Sequence, residues 1–170
     1  MEYRYLTKQY DAAIASIIRC NLKANALDIP GTAYFDASLD SLSEYYSRPG
    51  RAYFVLLDGG AVLGGGGLAE HSEGVCELQK LYLADSAKGK GFGYALMRLI
   101  EAKAIELDYS RIYIETHTNL KAAIRLYERM GYTVIPRPSS AVHGTMNQFY
   151  IKTLLREDPD ENKPLPKVLP

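Results

Sequence analysis

Two hydrophobic periods alternate along the 170 residues of this chain and predict its elements. Tyr3 to Leu6 reads as a short strand. Ala13, Ile14, Ile17, Ile18 and Leu22 follow at helical spacing, with Thr7 or Asp11 placed to cap that helix. Pro30-Gly31 breaks it, and a second short helix is predicted from Asp36 to Tyr46, ending at Pro49-Gly50. Tyr53-Phe54-Val55-Leu56-Leu57, the turn Asp58-Gly59-Gly60, and Ala61 to Leu68 make a hairpin. The glycines Gly64 to Gly67 inside its second strand predict a bulge there. After a turn from His71 to Gly74, two strand–helix units are expected. One is Val75 to Leu83 followed by Tyr94 to Ile100; the other is Arg111 to Thr116 followed by a helix starting near Asn119. A loop from Pro136 to Gly144 precedes a last strand, Phe149 to Leu154. This order predicts an α/β fold, one mixed sheet with helices on both sides. The domain is expected to span 1–156. The segment 157–170 holds four of the eight prolines among charges and is predicted to be a loose tail.

Composition adds exclusions. Lysine plus arginine equals aspartate plus glutamate, 20 each, so the basic excess of a nucleic-acid binder is missing. The apolar runs are too short to span a membrane, and the N-terminus has no apolar signal core. The two cysteines, Cys20 and Cys76, fall on different elements and fit no disulfide or zinc spacing. A cytoplasmic setting without a bound metal is the expectation.

The densest chemistry lies at Lys88-Gly89-Lys90-Gly91-Phe92-Gly93, between a strand and a helix. Unpaired N–H groups at a helix start attract anions, and glycines let the backbone approach a phosphate. The spacing is Gly-x-Gly-x-Gly, which fails the dinucleotide fingerprint, and it also fails the Walker loop. With the strand Glu77-Leu78-Gln79-Lys80-Leu81-Tyr82-Leu83, the run resembles the acetyl-CoA-binding motif of the GNAT N-acetyltransferase superfamily, Gln/Arg-x-x-Gly-x-Gly/Ala. Lys88 stands where Gln or Arg is usual, and Lys90 where a basic residue is frequent. A second block, Asn119-Leu120-Lys121-Ala122-Ala123 through Leu126-Tyr127 to Gly131-Tyr132, resembles that family's Asn-x-x-Ala…Leu-Tyr-x-x-x-Gly-Phe/Tyr.

The resemblance implies a mostly antiparallel sheet whose fourth and fifth strands are parallel and splayed. It implies acetyl-CoA as co-substrate, with the pantetheine arm bonded to the backbone near Leu81, Tyr82 and Leu83. The turn Lys88, Gly89, Lys90, Gly91, Phe92, Gly93 and Tyr94 would hold the pyrophosphate, and Asn119 and Ala123 would flank the arm. Asn119, Ala123 and Tyr127 step by four along one helical face, and the resemblance makes Tyr127 the proton donor to the departing thiolate. Glu77 lies at the family offset for a base that deprotonates the acceptor amine, directly or through water. A strand glutamate facing solvent or pairing with Lys80 or Lys90 is the other reading of Glu77.

The acceptor side is expected in the segment Ile29 to Asp36 and in the loop 136–144. Tyr34, His117 and His143 are the candidate contacts with substrate; a solvated loop histidine is the alternative for the last two. The function implied is transfer of an acetyl group from acetyl-CoA to a primary amine, small-molecule or peptide, by direct attack in a ternary complex. A non-catalytic acyl-CoA-binding or sensing module with the same cleft is the alternative. The chain is expected to act as a monomer or homodimer.

Overall fold

The computed structural model describes residues 1–141, 144–155 and 164–169. Its strands are β1 (Glu2–Tyr5), β2 (Ala52–Asp58), β3 (Ala61–Ser72), β4 (Val75–Leu83), β5 (Arg111–Thr116), β6 (Thr133–Ile135), β7 (Gln148–Thr153) and β8 (Val168–Leu169). The helices are α1 (Asp11–Ala24), α2 (Leu42–Tyr46), α3 (Phe92–Glu106) and α4 (Lys121–Arg129). One sheet takes the order β6-β7-β5-β4-β3-β2-β1-β8. β4 and β5 run parallel, as do β1 and β8, and the other pairs are antiparallel.

Two of the buried clusters explain the apolar pattern of β2. Tyr53, Val55 and Leu57 of β2 point into one, against Ile14, Ile18 and Leu22 of α1 and Leu42 and Tyr46 of α2. Phe54 and Leu56 of the same strand point into the other, against Leu96, Met97 and Ile100 of α3. Covered on both faces, β2 is a continuous apolar run rather than an alternating one. No helix among the described residues is long and apolar enough to cross a membrane.

Three local expectations are corrected. The helix predicted from Asp36 to Tyr46 is instead one 3-10 turn, Leu39–Ser41, followed by the five residues of α2, with another 3-10 turn, Ala33–Phe35, just before it. Asp36 breaks it with extended backbone, and its carboxylate lies 2.6 Å from Lys80 Nζ. Neither Thr7 nor Asp11 caps α1 with its side chain; Asp11 accepts from the backbone N–H of Ser43 at 2.8 Å and so ties α1 to α2. Of the segment predicted to be a loose tail, Val168 and Leu169 pair with Tyr3 and Arg4 at the sheet edge. The side chain of Val168 packs on the α3-side core, which supplies the apolar gain that the Pro-rich composition conceals.

Candidate active site

The site forms where two parallel strands part. β4 and β5 pair at Val75–Arg111, Cys76–Ile112 and Glu77–Tyr113, and the pairing stops there. Just beyond, β4 bulges. Gly67 of β3 faces Gln79 but Gly65 faces Tyr82, so β4 carries one extra residue. The bulge places Lys80 at φ 53°, a left-handed conformation that costs a non-glycine residue roughly 1–2 kcal/mol. Two contacts offset that cost. Tyr53 Oη donates to the Lys80 carbonyl at 2.8 Å, and Lys80 Nζ is paired with Asp36. The Tyr53 ring reaches Lys80 by lying across β3 on Gly65 and Gly67; a Cβ on either would stand 2.5 or 2.6 Å from a ring carbon. The glycine run therefore serves a close approach as well as the register slip opposite Leu56/Leu57.

The extra residue also reverses which face each later side chain takes. Cys76 and Leu78 join the α3-side core, and so do Leu81 and Leu83, while Tyr82 packs on the α1 side. Glu77, Gln79, Lys80 and Tyr82 thus share the α1–α2 side of the sheet beside the opening.

The parting strands leave a cleft of about 1040 Å³. Of the residues expected to hold a cofactor, Leu81, Tyr82, Leu83, Lys88, Gly89, Gly91, Gly93, Tyr94, Asn119 and Ala123 line it. Lys90 and Phe92 do not; Lys90 is exposed and Phe92 packs against the α3-side core. Gly91 is the N-cap of α3 at φ 85° and Gly89 has φ 73°. A Cβ on either would meet nothing within 4 Å, so the turn leaves room for a ligand against its backbone. The first-turn N–H groups of α3 have no partner inside the helix and suit an anion. Lys88, Lys121, Arg125 and Arg129 add positive charge along the lining. These residues fit a phosphorylated ligand with a long thin arm.

Tyr127 also lines the cleft. It is 5% exposed, its ring lies 5.9 Å from that of Tyr150 and 6.1 Å from that of Tyr132, and burial holds its phenol well above the usual value. No hydrogen bond to its hydroxyl is made among the described residues. Asn119 precedes α4 rather than starting it, since Leu120 is the N-cap, so the shared helical face begins at Ala123. Asn119 reaches the cleft through another contact: its Nδ2 donates to the Asn25 carbonyl at 2.8 Å.

Glu77 is 7% exposed and is absent from the cleft lining. Its Oε2 accepts from Gln79 Nε2 at 2.7 Å. Glu77 is buried rather than facing solvent, and Lys80 Nζ pairs with Asp36. Tyr34 and His117 do not line the cleft either. Tyr34 packs on the α1-side core, and His117 Nδ1 accepts from the Asn119 N–H at 3.1 Å, closing its own turn. His143 lies outside the described residues. Among the described residues no group of three His, Cys, Asp or Glu is placed to hold a metal ion.

Sequence reasoning missed Asn21. Its Nδ2 donates to the Leu83 carbonyl at 2.9 Å, so α1 holds the end of β4 at the cleft. The signal was present: Asn21 sits three residues after Ile18, on the apolar stripe of α1, where a polar residue needs a buried partner.

The comparisons agree with this geometry. The family described as "Acetyltransferase (GNAT) family" matches residues 20–132. The Escherichia coli (strain K12) protein "Uncharacterized N-acetyltransferase YjgM" is 39% identical over 133 residues, covering 76% of this chain and 80% of its own. An acetyltransferase of the GNAT family from Staphylococcus aureus Mu50 superposes with a TM-score of 0.80 at 19% identity, over 91% of this chain and 99% of its own. The PaiA N-acetyltransferase of Thermoplasma acidophilum, solved in complex with coenzyme A, superposes with a TM-score of 0.72 at 17% identity, over 89% and 98%. With a family match over most of its length and a glycine turn set beside parting parallel strands, this chain belongs to the acetyltransferase (GNAT) family as an N-acetyltransferase.

Proposed function

We propose that this enzyme moves an acetyl group from acetyl-CoA to a primary amine by direct attack while both substrates are bound. The observation that carries the reading is the cleft itself, which joins the glycine turn of α3 to the β4–β5 parting with Tyr127 in its lining. Acetyl-CoA supplies the acetyl group as an activated thioester. Gly89, Gly91 and the first-turn N–H groups of α3 would hold its phosphates, with Lys88, Arg125 and Arg129 nearby. Leu81 and Tyr82 lie beyond the last β4–β5 pair and their backbone would bond an extended arm, while the Leu83 carbonyl already accepts from Asn21.

An alkyl amine is mostly protonated near pH 7, so attack needs a base. Glu77 fills that role through a water, since its carboxylate is set back from the cleft. Glu77 first takes the ammonium proton and releases it to solvent; as the free amine then forms the C–N bond, the second proton it sheds passes to Glu77 and on to solvent. As the C–S bond breaks, the Tyr127 proton goes to the sulfur, and Tyr127 regains a proton from solvent when products leave. A phenol kept protonated by burial suits that donation.

The test is a panel of primary amines with acetyl-CoA, read by thiol release and by the mass of the acetylated product. Glu77→Gln is expected to lower turnover at pH 7 by about 10²–10⁴-fold, with partial recovery at high pH where free amine is abundant. No thiol release with any amine, in protein that binds CoA, would overturn the reading.

A further inference from the structure

Glu77 takes part in a half-buried chain of side chains. Tyr46 Oη donates to Gln79 Oε1 at 3.0 Å, and Gln79 Nε2 donates to Glu77 Oε2 at 2.7 Å. We infer that Gln79 and Tyr46 are positioning residues that hold the Glu77 carboxylate ionised and oriented for the acceptor amine. The inference rests on the reading of Glu77 as the base.

The direction of the chain follows from what each group can do. An ionised carboxylate only accepts, so Gln79 must turn its NH₂ toward Glu77. Its carbonyl oxygen is then left on the far side and needs a donor. Tyr46, 6% exposed, is that donor. Its ring is clamped between Tyr45, edge-on at 4.8 Å, and Tyr53, tilted at 4.9 Å, so the hydroxyl is held in place. Tyr53 in turn bonds the Lys80 carbonyl at the bulge, so the clamp and the bulge are one construction. A protonated Glu77 would donate instead and would let the amide turn over. The chain therefore favours the charged carboxylate, the form a base must have before it takes a proton.

Other groups face the same place. Tyr113 of β5 is the register partner of Glu77 and donates to Glu115 Oε1 at 3.1 Å. His71 of β3 lies tilted against Tyr113 at 4.4 Å, and burial, with Glu115 and Glu77 nearby, raises the Tyr113 phenol while Arg137 acts the other way. The Lys80–Asp36 pair borders Tyr46 and Tyr82. The limb of a pH profile that belongs to Glu77 must therefore be identified by a Glu77 variant.

The experiment is the pH profile of kcat/KM for the amine in the wild type, Glu77→Gln, Gln79→Leu, Tyr46→Phe and the double variant Glu77→Gln/Gln79→Leu. Melting and CoA binding check that each is folded. The limb that Glu77→Gln removes is expected to move up by about one pH unit in Gln79→Leu, because the ionised form loses a charge-assisted hydrogen bond. Tyr46→Phe should move it the same way by less, with the KM for acetyl-CoA unchanged in both. The double variant should show no shift beyond Glu77→Gln alone. A limb that Glu77→Gln removes but that stays in place in folded Gln79→Leu overturns the positioning role and leaves the base intact. If Gln79→Leu does not fold, an unmoved limb in Tyr46→Phe, which keeps the ring stack, overturns it equally. A limb unmoved in Glu77→Gln overturns the base reading, and the positioning role with it.

Discussion

Tyr127 owes two properties to one placement. It lines the cleft, and its ring is packed among Tyr132 and Tyr150. Burial raises its phenol above the ordinary value near 10, so the hydroxyl keeps its proton through neutral and mildly alkaline pH. The sign for stability follows. The neutral buried phenol contributes stability that is fully present below the unfolded value and is lost only as pH rises through the higher folded one. Tyr127 should therefore add no slope to stability between about pH 6 and 9. Tyr127→Phe removes a hydroxyl that no hydrogen bond engages among the described residues, so it should leave the melting temperature within about two degrees. The chemical step should slow by about 10²-fold while acetyl-CoA affinity holds, the pattern of a group that acts in the transition state. Single-turnover rates and calorimetry check the two halves. Unchanged rates for the chemical step would make Tyr127 a packing residue.

The turn before α3 and the bulge in β4 are the elements that make a cleft out of a sheet. Gly91 has open space around its missing Cβ, yet its φ of 85° would strain a β-branched residue. Gly91→Asn separates these effects, because asparagine tolerates the left-handed region. It should melt within a few degrees of the wild type and weaken CoA binding at least about tenfold, since the added side chain meets only ligand. Gly65→Ala should do the reverse. Its Cβ would lie 2.5 Å from the Phe54 carbonyl and from the Tyr53 ring, so urea unfolding should show a loss of about 1–3 kcal/mol. The turn was legible in the sequence because glycines at a strand–helix junction announce both conformation and ligand. The bulge was half legible. Cys76 and Leu78 share one parity and Leu81 and Leu83 the other, so the apolar face switches between Leu78 and Leu81. Nothing in Lys80 itself marks a left-handed residue, because Tyr53 and Asp36, far away in the chain, hold it there.

At the scale of the whole molecule the site is assembled across the sheet. α3 and α4 flank the cleft on one side, and α1 reaches its rim from the other through Asn21 on the Leu83 carbonyl and the Asn25 carbonyl under Asn119. Such long-range contacts are what local patterns cannot supply, which is why motifs pointed to Asn119 and Tyr127 while the partners of Asn21 and Tyr46 were not legible. The same layout bears on how acetyl transfer is ordered. A carrier mechanism needs a nucleophile that is ionised and within reach of the thioester. Cys76 is fully buried in the α3-side core, its Sγ donates to the Arg111 carbonyl at 3.7 Å, and burial pushes its thiol up to about 12. At pH 7.5 its thiolate fraction is then below about 1 in 10⁴. Cys20 is exposed on α1 and does not line the cleft. Neither cysteine is thus suited to carry an acetyl group, which supports the direct attack proposed above. Initial rates measured against both substrates are expected to give intersecting lines. The intact mass of the protein after incubation with acetyl-CoA alone should be unchanged, and Cys76→Ala should lose some stability but keep turnover. Parallel lines, with an added acetyl mass that disappears in Cys76→Ala, would replace direct attack by an acyl-enzyme route.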